Sequence, residues 1–506
     1  MSRILKPIER LLDRLADPAR RERTAVWTLI GYCAVWSLYG ALAKGSQDIH
    51  FDMGEMVAWS REVGIGTPKH PPFGAWLVRA WFTVFPLADW AYYLFAMVLA
   101  TLALWIAWRV SARYLDGEKR VAGLALLTLV PFFNFHALKF NANTVLIPLW
   151  AAATWWFLRS FETRRTGWAA LAGLGAAAAM LGKYWSIFLL AGLGIAALCD
   201  PRRAAYFRSP APWVTILVGA LTLAPHLAWI VASDFAPFTY AVESHAGTLA
   251  DATASAFGYL LGVAGYIAAP VILMALAARP GVAALADTLW PAAPDRRLVL
   301  IAFTAPILLP TLAALALKAG IVSLWAMGAM TLLPVVLLSS PLVTLPRRAA
   351  VLLLALALAF PVAMTLAAPV IAIVIHREGV PNNAAHYRLV AAAIEKAWRA
   401  ATDKPLRLVG SQTNLVNGVV FYLASQPSTL DIMGPQVTPW ADEARVTREG
   451  IALVCAEADP FCMQMLNARA ARVPAARRSV VEISRSYLGV ADAPVRYVIV
   501  IVPPQP

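Results

Sequence analysis

The ionisable residues that could do chemistry are concentrated in one stretch, residues 48–76, within a chain that is otherwise poor in charge. Asp52 and Glu55 lie three residues apart, so on a helix both carboxylates would share a face with Trp59. Ionisable groups held at a membrane face by apolar helices are candidates for function. The stretch is therefore predicted to carry acid–base chemistry, with the rest of the chain as its scaffold.

Two other interpretations of these residues stay open. Asp52 and Glu55 also match a capping box, in which the first residue caps a helix and the second folds back to it. His50 lies between Asp48 and Asp52, and alternate spacing on an extended segment would bring three possible metal ligands to one face. That spacing is a weak signal, so a hydrogen-bonded acid–histidine cluster is favoured and no metal is expected.

A second group follows at Lys69-His70-Pro71-Pro72. The two prolines fix an extended backbone before the next apolar helix. The segment can be a rigid start to that helix, with Lys69 and His70 in solvent. Alternatively, the rigid backbone holds a cationic side chain against a phosphate.

The composition indicates what must position these residues. The chain is 60% hydrophobic and 14% charged, with a mean hydropathy of +0.64, whereas a soluble domain has about 25% charged residues. This predicts a mainly α, polytopic membrane protein. The net charge of +14 arises largely from arginine clusters between apolar runs, so no nucleic-acid partner is expected. No phosphate loop or dinucleotide fingerprint is visible, and no cofactor is expected.

Eleven apolar runs approach the length of about 20 residues that a bilayer-spanning helix needs. They are 24–44, 88–111, 121–140, 143–158, 168–182, 185–199, 211–232, 255–277, 298–317, 321–340 and 349–375. If each run spans once, the arginine clusters fall on the side of the basic N-terminus. This predicts a cytoplasmic amphipathic anchor at 1–23 with no cleavable signal peptide, a transmembrane domain at 24–375 and an outer loop at 45–87.

The composition changes from about residue 376. Helix-like AAHYRLVAAAIEKAWRA precedes the apolar runs PLRLVG, LVNGVVFYLA, PSTLDIM, GIALVCA and VRYVIVIVPP. Short strand-like runs alternating with helical ones predict a small α/β domain with a mixed sheet over 376–506, outside the membrane. Cys455 and Cys462 could form a disulfide there, although the sequence alone leaves this open.

The loop motifs resemble a known family. Asp52, Trp59-Ser60, Gly66, His70-Pro71-Pro72 and Trp76-Leu77 are similar to the first extracytoplasmic loop of family 39 glycosyltransferases. These are GT-C-fold enzymes that use polyprenyl-phosphate sugars and include protein O-mannosyltransferases and the aminoarabinose transferase of lipid A. Met53 departs from the family pattern, which has Glu at this position.

Three later segments extend the resemblance over residues 25–250. They are the hairpin from His136 through Lys139 to Asn143, the sequence Gly182-Lys183-Tyr184, and Pro225-His226 followed by Trp229, Asp234, Phe238, Tyr240 and His245. Taken singly, Lys183 could be a snorkelling residue at a helix end. His226 and His136 could equally be buried, hydrogen-bonded histidines.

The resemblance implies a membrane glycosyltransferase. A sugar would pass, with inversion, from a polyprenyl-phosphate donor to a hydroxyl of a lipid, glycan or protein on the outer face of a bacterial inner membrane. Asp52, with a raised pKa, would be the general base and Glu55 a supporting acid. Donor phosphate would be bound by Lys183, Lys139, His70 and Lys69. The pocket for donor and acceptor would include His50, Trp59, Asn143, Tyr184, His226 and His245.

Two other classes of protein remain possible from the sequence. A transporter or lipid flippase also needs many helices and buried ionisable groups, but usually shows internal repeats and broken helices. No repeat is visible here, and the charged residues cluster in loops. A non-catalytic scaffold whose α/β domain binds an envelope partner is the third possibility, kept open by Met53 and by Asn143 in place of an acid.

Overall fold

The structure is a computed structural model that describes residues 2–62, 64–380 and 384–504. Parts of the predicted anchor, outer loop and C-terminal domain, namely residues 1, 63, 381–383 and 505–506, lie outside the described residues. Contacts divide the chain into two compact units. The helical unit comprises Met1–Ser37 and Leu94–Met364, and the mixed unit comprises Leu38–Tyr93 and Thr365–Pro506. The predicted outer loop therefore belongs to the same unit as the predicted α/β domain.

Helices dominate the chain, as the composition predicts. In order they are α1 (Ser2–Ala16), α2 (Arg21–Ala43), α3 (Phe51–Arg61), α4 (Phe73–Phe82), α5 (Asp89–Ser111), α6 (Gly117–Thr128), α7 (Leu146–Thr163), α8 (Thr166–Gly182), α9 (Ile187–Cys199), α10 (Arg203–Phe207), α11 (Ala211–Ala232), α12 (Ala236–His245), α13 (Leu249–Ala278), α14 (Val282–Leu289), α15 (Pro294–Leu317), α16 (Leu333–Leu338), α17 (Arg347–Glu378), α18 (Tyr387–Ala401), α19 (Thr413–Phe421), α20 (Glu443–Glu449) and α21 (Pro460–Ala470). Short 3-10 segments occur at Pro131–Phe133, Tyr184–Ser186, Ser323–Leu332 and Pro435–Val437.

Among the described residues, six helices are long and apolar enough to cross a membrane: α2, α5, α11, α13, α15 and α17. They correspond to six of the eleven predicted runs. The segments Thr166–Gly182, Tyr184–Cys199 and Ser323–Leu338 are shorter apolar helices. The run predicted at 143–158 lies within α7, which continues to Thr163.

Two predicted runs are not single helices. The run at 121–140 ends as a helix at Thr128, because Val130 takes the extended conformation favoured before a proline and Pro131 starts a 3-10 turn. The run at 321–340 begins as a 3-10 helix and becomes α-helical only from Leu333. Apolar composition did not distinguish these irregular segments from continuous spans.

Small residues allow helices of the helical unit to approach closely. A Cβ added at Gly173 of α8 would lie 2.5 Å from the carbonyl oxygen of Thr215 in α11. A Cβ at Gly175 would lie 3.0 Å from the Cα of Ala153 in α7. The small residues of α8 are thus packed against both neighbours, which is how membrane helices associate without a hydrophobic driving force.

The mixed unit contains a five-stranded sheet of order β2-β1-β3-β7-β4 and a two-stranded ribbon, β5-β6. The strands are β1 (Leu408–Ser411), β2 (Ser428–Asp431), β3 (Ile451–Ala456), β4 (Arg477–Ile483), β5 (Ser486–Tyr487), β6 (Val490–Ala491) and β7 (Val495–Val502). β1 is parallel to β2 and β3, whereas β7 is antiparallel to β3 and β4. The mixed sheet matches the prediction, and LVNGVVFYLA forms helix α19.

The two faces of the sheet have separate apolar cores. Helices α18 and α19 cover one face, where Ile394 and Val420 pack with Ile499 of β7. Helix α21 covers the other, where Leu466 packs with Leu453 of β3. Cys455 of β3 and Cys462 of α21 form a disulfide on that second face.

Candidate functional site

Helix α3 carries both candidate carboxylates, and its first turn differs from a capping box. His50 is the N-cap, and its Nδ1 accepts a hydrogen bond from the backbone N–H of Asp52 at 3.1 Å. Asp52 therefore lies inside the helix, with one carboxylate oxygen 3.8 Å from His50 Nδ1. The capping-box interpretation of Asp52 and Glu55 is wrong, because the histidine side chain occupies the capping position.

Glu55 is bonded to Lys69. The Lys69 ammonium donates to Glu55 Oε1 at 2.8 Å, and the side chains of Glu55 and Lys69 are 7% and 22% exposed. Burial raises the pKa of Glu55, an effect that the Lys69 charge opposes and that the nearby carboxylates of Asp52 and Asp431 reinforce. Asp52 is more open, with 21% of its side chain exposed.

A turn at residues 67–70 presents Lys69 to this pair. Thr67 organises the turn: its hydroxyl donates to the carbonyl of His70 at 2.9 Å and accepts from the His70 N–H at 3.0 Å. The Lys69 ammonium lies 5.9 Å from the centre of the Trp59 ring, and the His70 ring packs edge-on against the same indole at 5.6 Å. The structure thus brings together Glu55, Trp59, Lys69 and His70 as a single cluster.

The position of α3 is set by the C-terminal part of the mixed unit. A Cβ at Gly54 would lie 2.1 Å from the carbonyl oxygen of Asn417, so only glycine lets α3 cross α19 this closely. On another side, the Tyr92 hydroxyl donates to the carbonyl of Met53 at 2.9 Å. These contacts hold α3 as a rigid support.

Asp48 has a structural role. Its buried carboxylate accepts from Arg485 Nη1 at 2.9 Å and from the Arg388 backbone N–H at 2.9 Å. Arg388 also donates to Asp89 at 2.8 Å, and Asp89 accepts from Tyr422 at 3.0 Å. Burial raises the pKa of Asp48, an effect that both arginines oppose. Asp48 therefore ties the start of the loop to its own unit and is not grouped with His50 as a ligand.

The helical unit contains a second cluster, centred on Lys183. Helix α8 ends at Gly182, and Lys183 takes an extended conformation before the 3-10 turn that follows. Its ammonium donates to the Asn143 amide oxygen at 2.6 Å and lies 4.5 Å from the centre of the Trp325 ring. A cation over an indole face is attracted by the ring quadrupole. Sequence reasoning predicted Lys183 and Asn143 but missed Trp325, which the fold brings in from the 3-10 segment Ser323–Leu332.

Aromatic and imidazole rings extend this cluster. The Tyr184 hydroxyl lies 3.0 Å from Nε2 of the buried His226. Tyr184 also stacks on Phe238 at 5.2 Å, and His226 stacks on Trp229 at 5.6 Å. The predicted pocket residues Tyr184 and His226 are thus in direct contact.

His245 also lies beside the Lys183 cluster. The His245 ring is 5.2 Å from Trp325, so His245 and Lys183 share one indole. Asn141 shapes the hairpin that presents Asn143, because its side-chain oxygen accepts from the Asn143 N–H at 2.8 Å. His136, by contrast, packs edge-on against Tyr266 at 5.2 Å. This hairpin carries Lys139 as well.

The helical unit thus presents a cation among rings and amides, and the mixed unit presents an acid cluster on a rigid helix. The first arrangement can bind an anion electrostatically, and the second can accept a proton at Asp52. Within the described residues, no three His, Cys, Asp or Glu side chains are grouped to hold a metal ion.

The fold is that of a multi-pass membrane protein of the GT-C type. The crystal structure of ArnT from Cupriavidus metallidurans bound to undecaprenyl phosphate is similar, with a TM-score of 0.63 over 94% of this chain and 97% of that chain at 15% identity. The apo structure of the same protein gives a TM-score of 0.62 with the same coverage at 13% identity. The predicted fold class is confirmed.

Sequence comparisons point the same way over part of the chain. Residues 69–229 match the dolichyl-phosphate-mannose-protein mannosyltransferase family. The chain is 25% identical over 215 residues to the lipid A galacturonosyltransferase RgtD of Rhizobium johnstonii, covering 42% of this chain and 44% of that protein. It is 25% identical over 221 residues to the lipopolysaccharide core galacturonosyltransferase RgtB of the same organism, covering 43% and 44%.

The chain therefore spans less than half the length of these curated relatives. These matches confirm the predicted resemblance to membrane glycosyltransferases of the GT-C fold. The matched family segment includes Lys69, His70 and Lys183. It begins after Asp52, so the family match does not bear on the role predicted for Asp52.

Proposed function

We propose that this protein is a membrane glycosyltransferase that moves a sugar from a polyprenyl-phosphate donor to a hydroxyl acceptor. The observation that carries the proposal is the likeness to ArnT along nearly the whole of both chains. That protein was crystallised with undecaprenyl phosphate, and the relatives matched by sequence are named as transferases acting on lipid A and on the lipopolysaccharide core. A saccharide of the outer envelope is therefore the first acceptor to test.

Asp52 is the proposed general base. It lies on a helix fixed by the Gly54–Asn417 crossing and is three times as exposed as Glu55, at 21% against 7% of the side chain. Glu55 is bonded to Lys69 and supports the helix and turn around the base. The acceptor hydroxyl would lose its proton to Asp52 as its oxygen attacks the anomeric carbon, with inversion.

Lys183 is the proposed ligand of the donor phosphate. As the bond between the sugar and the phosphate breaks, negative charge grows on the departing polyprenyl phosphate. An ammonium held over Trp325 by the Asn143 amide would stabilise that charge. Lys139 and His70 are proposed as further phosphate contacts. Lys69 is a weaker candidate, since Glu55 already offsets its charge.

The chain is also proposed to lie in a bacterial inner membrane, with its N-terminus cytoplasmic and its mixed unit outside. The arginine clusters between the apolar runs support this orientation. The Cys455–Cys462 disulfide also supports it, since disulfides persist in oxidising compartments.

The decisive test is sugar transfer by Asp52→Asn. Membranes containing the full chain would be given radiolabelled polyprenyl-phosphate sugars, with lipid A and core lipopolysaccharide as acceptors. Since loss of a general base lowers a rate by about 10²–10⁴-fold, we expect a loss of this size in sugar transfer by Asp52→Asn. Its unfolding temperature should be unchanged. The control is Asp403→Asn, which makes the same chemical change at an exposed position of the same unit.

Two outcomes would contradict the proposal at different levels. Near-normal transfer by Asp52→Asn would remove Asp52 from the role of base. Lipid movement across vesicles without sugar transfer by the wild-type chain would instead identify a flippase or transporter.

A further inference from the structure

The helical unit has an apolar groove between the end of α13 and the start of α17. Its volume is about 460 Å³, and both helices are long and apolar enough to cross a membrane. Its walls include Leu273 and Leu276 of α13 and Leu352 and Leu356 of α17. Such walls suit a hydrocarbon chain, because their side chains are aliphatic and both helices are apolar enough to lie in the interior of a bilayer.

Two arginines also line this groove. Arg279 lies just after the last residue of α13, and Arg348 lies in the first turn of α17. Both are exposed, and within the described part of the chain neither guanidinium has a hydrogen-bond or ion-pair partner. The C-terminus of α13 and the N-terminus of α17 both lie here, and their opposite dipole ends offset each other, so the local positive charge is that of the two arginines.

The arginines of another cavity in the same unit show what a compensated cluster looks like. That cavity has a volume of about 420 Å³ and is lined by arginines. Each of the four lies near an acid. Arg113 and Arg159 are 3.0 Å and 3.2 Å from Glu162. Arg109 and Arg21 are 3.6 Å and 3.7 Å from Glu22. The charge beside the α13–α17 groove is not offset in this way.

We propose that the α13–α17 groove binds an anionic phospholipid. Its phosphate contacts Arg279 and Arg348, and an acyl chain lies along the four leucines. Arginine suits the phosphate, since its planar fork can donate two hydrogen bonds to one group. Charge favours this occupant over a zwitterionic lipid, whose headgroup would bring a third cation beside the two guanidiniums. The site is separate from the Lys183 cluster and does not depend on the proposed transfer reaction.

The test is native mass spectrometry of the purified full-length protein with phosphatidylglycerol or phosphatidylcholine. We expect phosphatidylglycerol to bind preferentially. Arg279→Gln/Arg348→Gln should weaken that binding by about 25-fold, roughly fivefold for each charge lost near a lipid headgroup. The matched control is Arg165→Gln/Arg208→Gln, which removes two exposed arginines that do not line the groove.

A third variant tests whether lipid binding requires the groove or only the charge of the two arginines. Leu276→Trp adds bulk to the groove wall while keeping both arginines, and Leu276 is 67% exposed, so the fold should tolerate the change. We expect it to lower phosphatidylglycerol binding as well. Equal binding of the two lipids, or equal losses in the groove and control variants, would overturn the proposal. Undiminished binding by Leu276→Trp would also overturn it, because the groove would then be irrelevant.

Discussion

The two ionisable clusters differ in how their charges are balanced. In the mixed unit, the buried carboxylate of Glu55 forms an ion pair with the Lys69 ammonium, with 2.8 Å between Oε1 and Nζ. In the helical unit, the Lys183 ammonium donates to the Asn143 amide oxygen and lies over the indole ring of Trp325. A buried ion pair costs stability when one partner is removed, whereas a cation over a ring contributes less and can interact with a ligand. We therefore expect loss of one member of the Glu55–Lys69 pair to affect folding and loss of the Lys183 charge to affect function.

The largest effect should come from Lys69→Met, which leaves the Glu55 carboxylate buried without its ammonium. Removing one partner of a buried pair costs about 3–5 kcal/mol, so the unfolding temperature of the purified protein should fall strongly at neutral pH. The double variant Glu55→Gln/Lys69→Met should recover most of the loss, since neither charge is then buried. If the double variant were as unstable as the single one, the pair would not be the source of the effect.

The second prediction concerns Lys183→Met, which keeps an apolar chain against Trp325 and removes the charge. Losing one group that stabilises the developing anion lowers the transfer rate by about 10²–10³-fold, with the unfolding temperature nearly unchanged. The transfer rate is measured with labelled polyprenyl-phosphate sugar, and the unfolding temperature is measured by thermal unfolding of the purified protein. Lys396→Met, at an exposed position, is the control. A destabilised Lys183→Met protein would break the comparison between the clusters.

Most of the helices could be predicted from the sequence. Long apolar runs predicted helices well, and the run at 211–232 coincides with α11, which starts just after Pro210 and continues through Pro225. The run at 121–140 failed at Pro131, where one residue outweighed the apolar composition around it. Helix composition is a local property, so most of the fold was accessible in this way.

The sites were less accessible, because they depend on contacts between distant residues. The capping-box interpretation failed because the helix starts two residues earlier than expected: His50 is the N-cap, and its Nδ1 accepts from the backbone N–H of Asp52. The Glu55–Lys69 pair depends on the turn formed by Thr67, and proline spacing indicates rigidity there but no direction. Trp325 could be identified only once the fold had placed its ring over Lys183.

A third prediction tests whether α3 is a rigid support. Gly54→Ala would place a methyl group 2.1 Å from the Asn417 carbonyl oxygen, so α3 and α19 must separate. Overpacking of this kind costs about 1–3 kcal/mol, less than loss of Lys69, and should also slow transfer by displacing Asp52. Gly31→Ala is the matched control, because a Cβ there has no atom within 4 Å. Unchanged stability and activity in Gly54→Ala would show that the crossing does not position the base.

The smallest effect is a pH dependence of stability that arises from Glu55 in the mixed unit. Burial raises the pKa of Glu55 in the folded protein, so between the ordinary glutamate pKa of about 4.3 and that raised pKa the folded state binds more protons than the unfolded state. Stability from this group is therefore greatest at low pH and falls as the pH rises through that window.

Glu55→Gln removes this dependence. The unfolding temperature of the wild type, minus that of the variant, should decline as the pH is raised from about 4. Glu482→Gln, which makes the same substitution at an exposed position of the mixed unit, serves as the control and should parallel the wild type. A difference that grew with pH would mean that the Lys69 charge outweighs burial at Glu55. The pair would then stabilise the ionised carboxylate, and the first cluster would be held by attraction between charges at neutral pH.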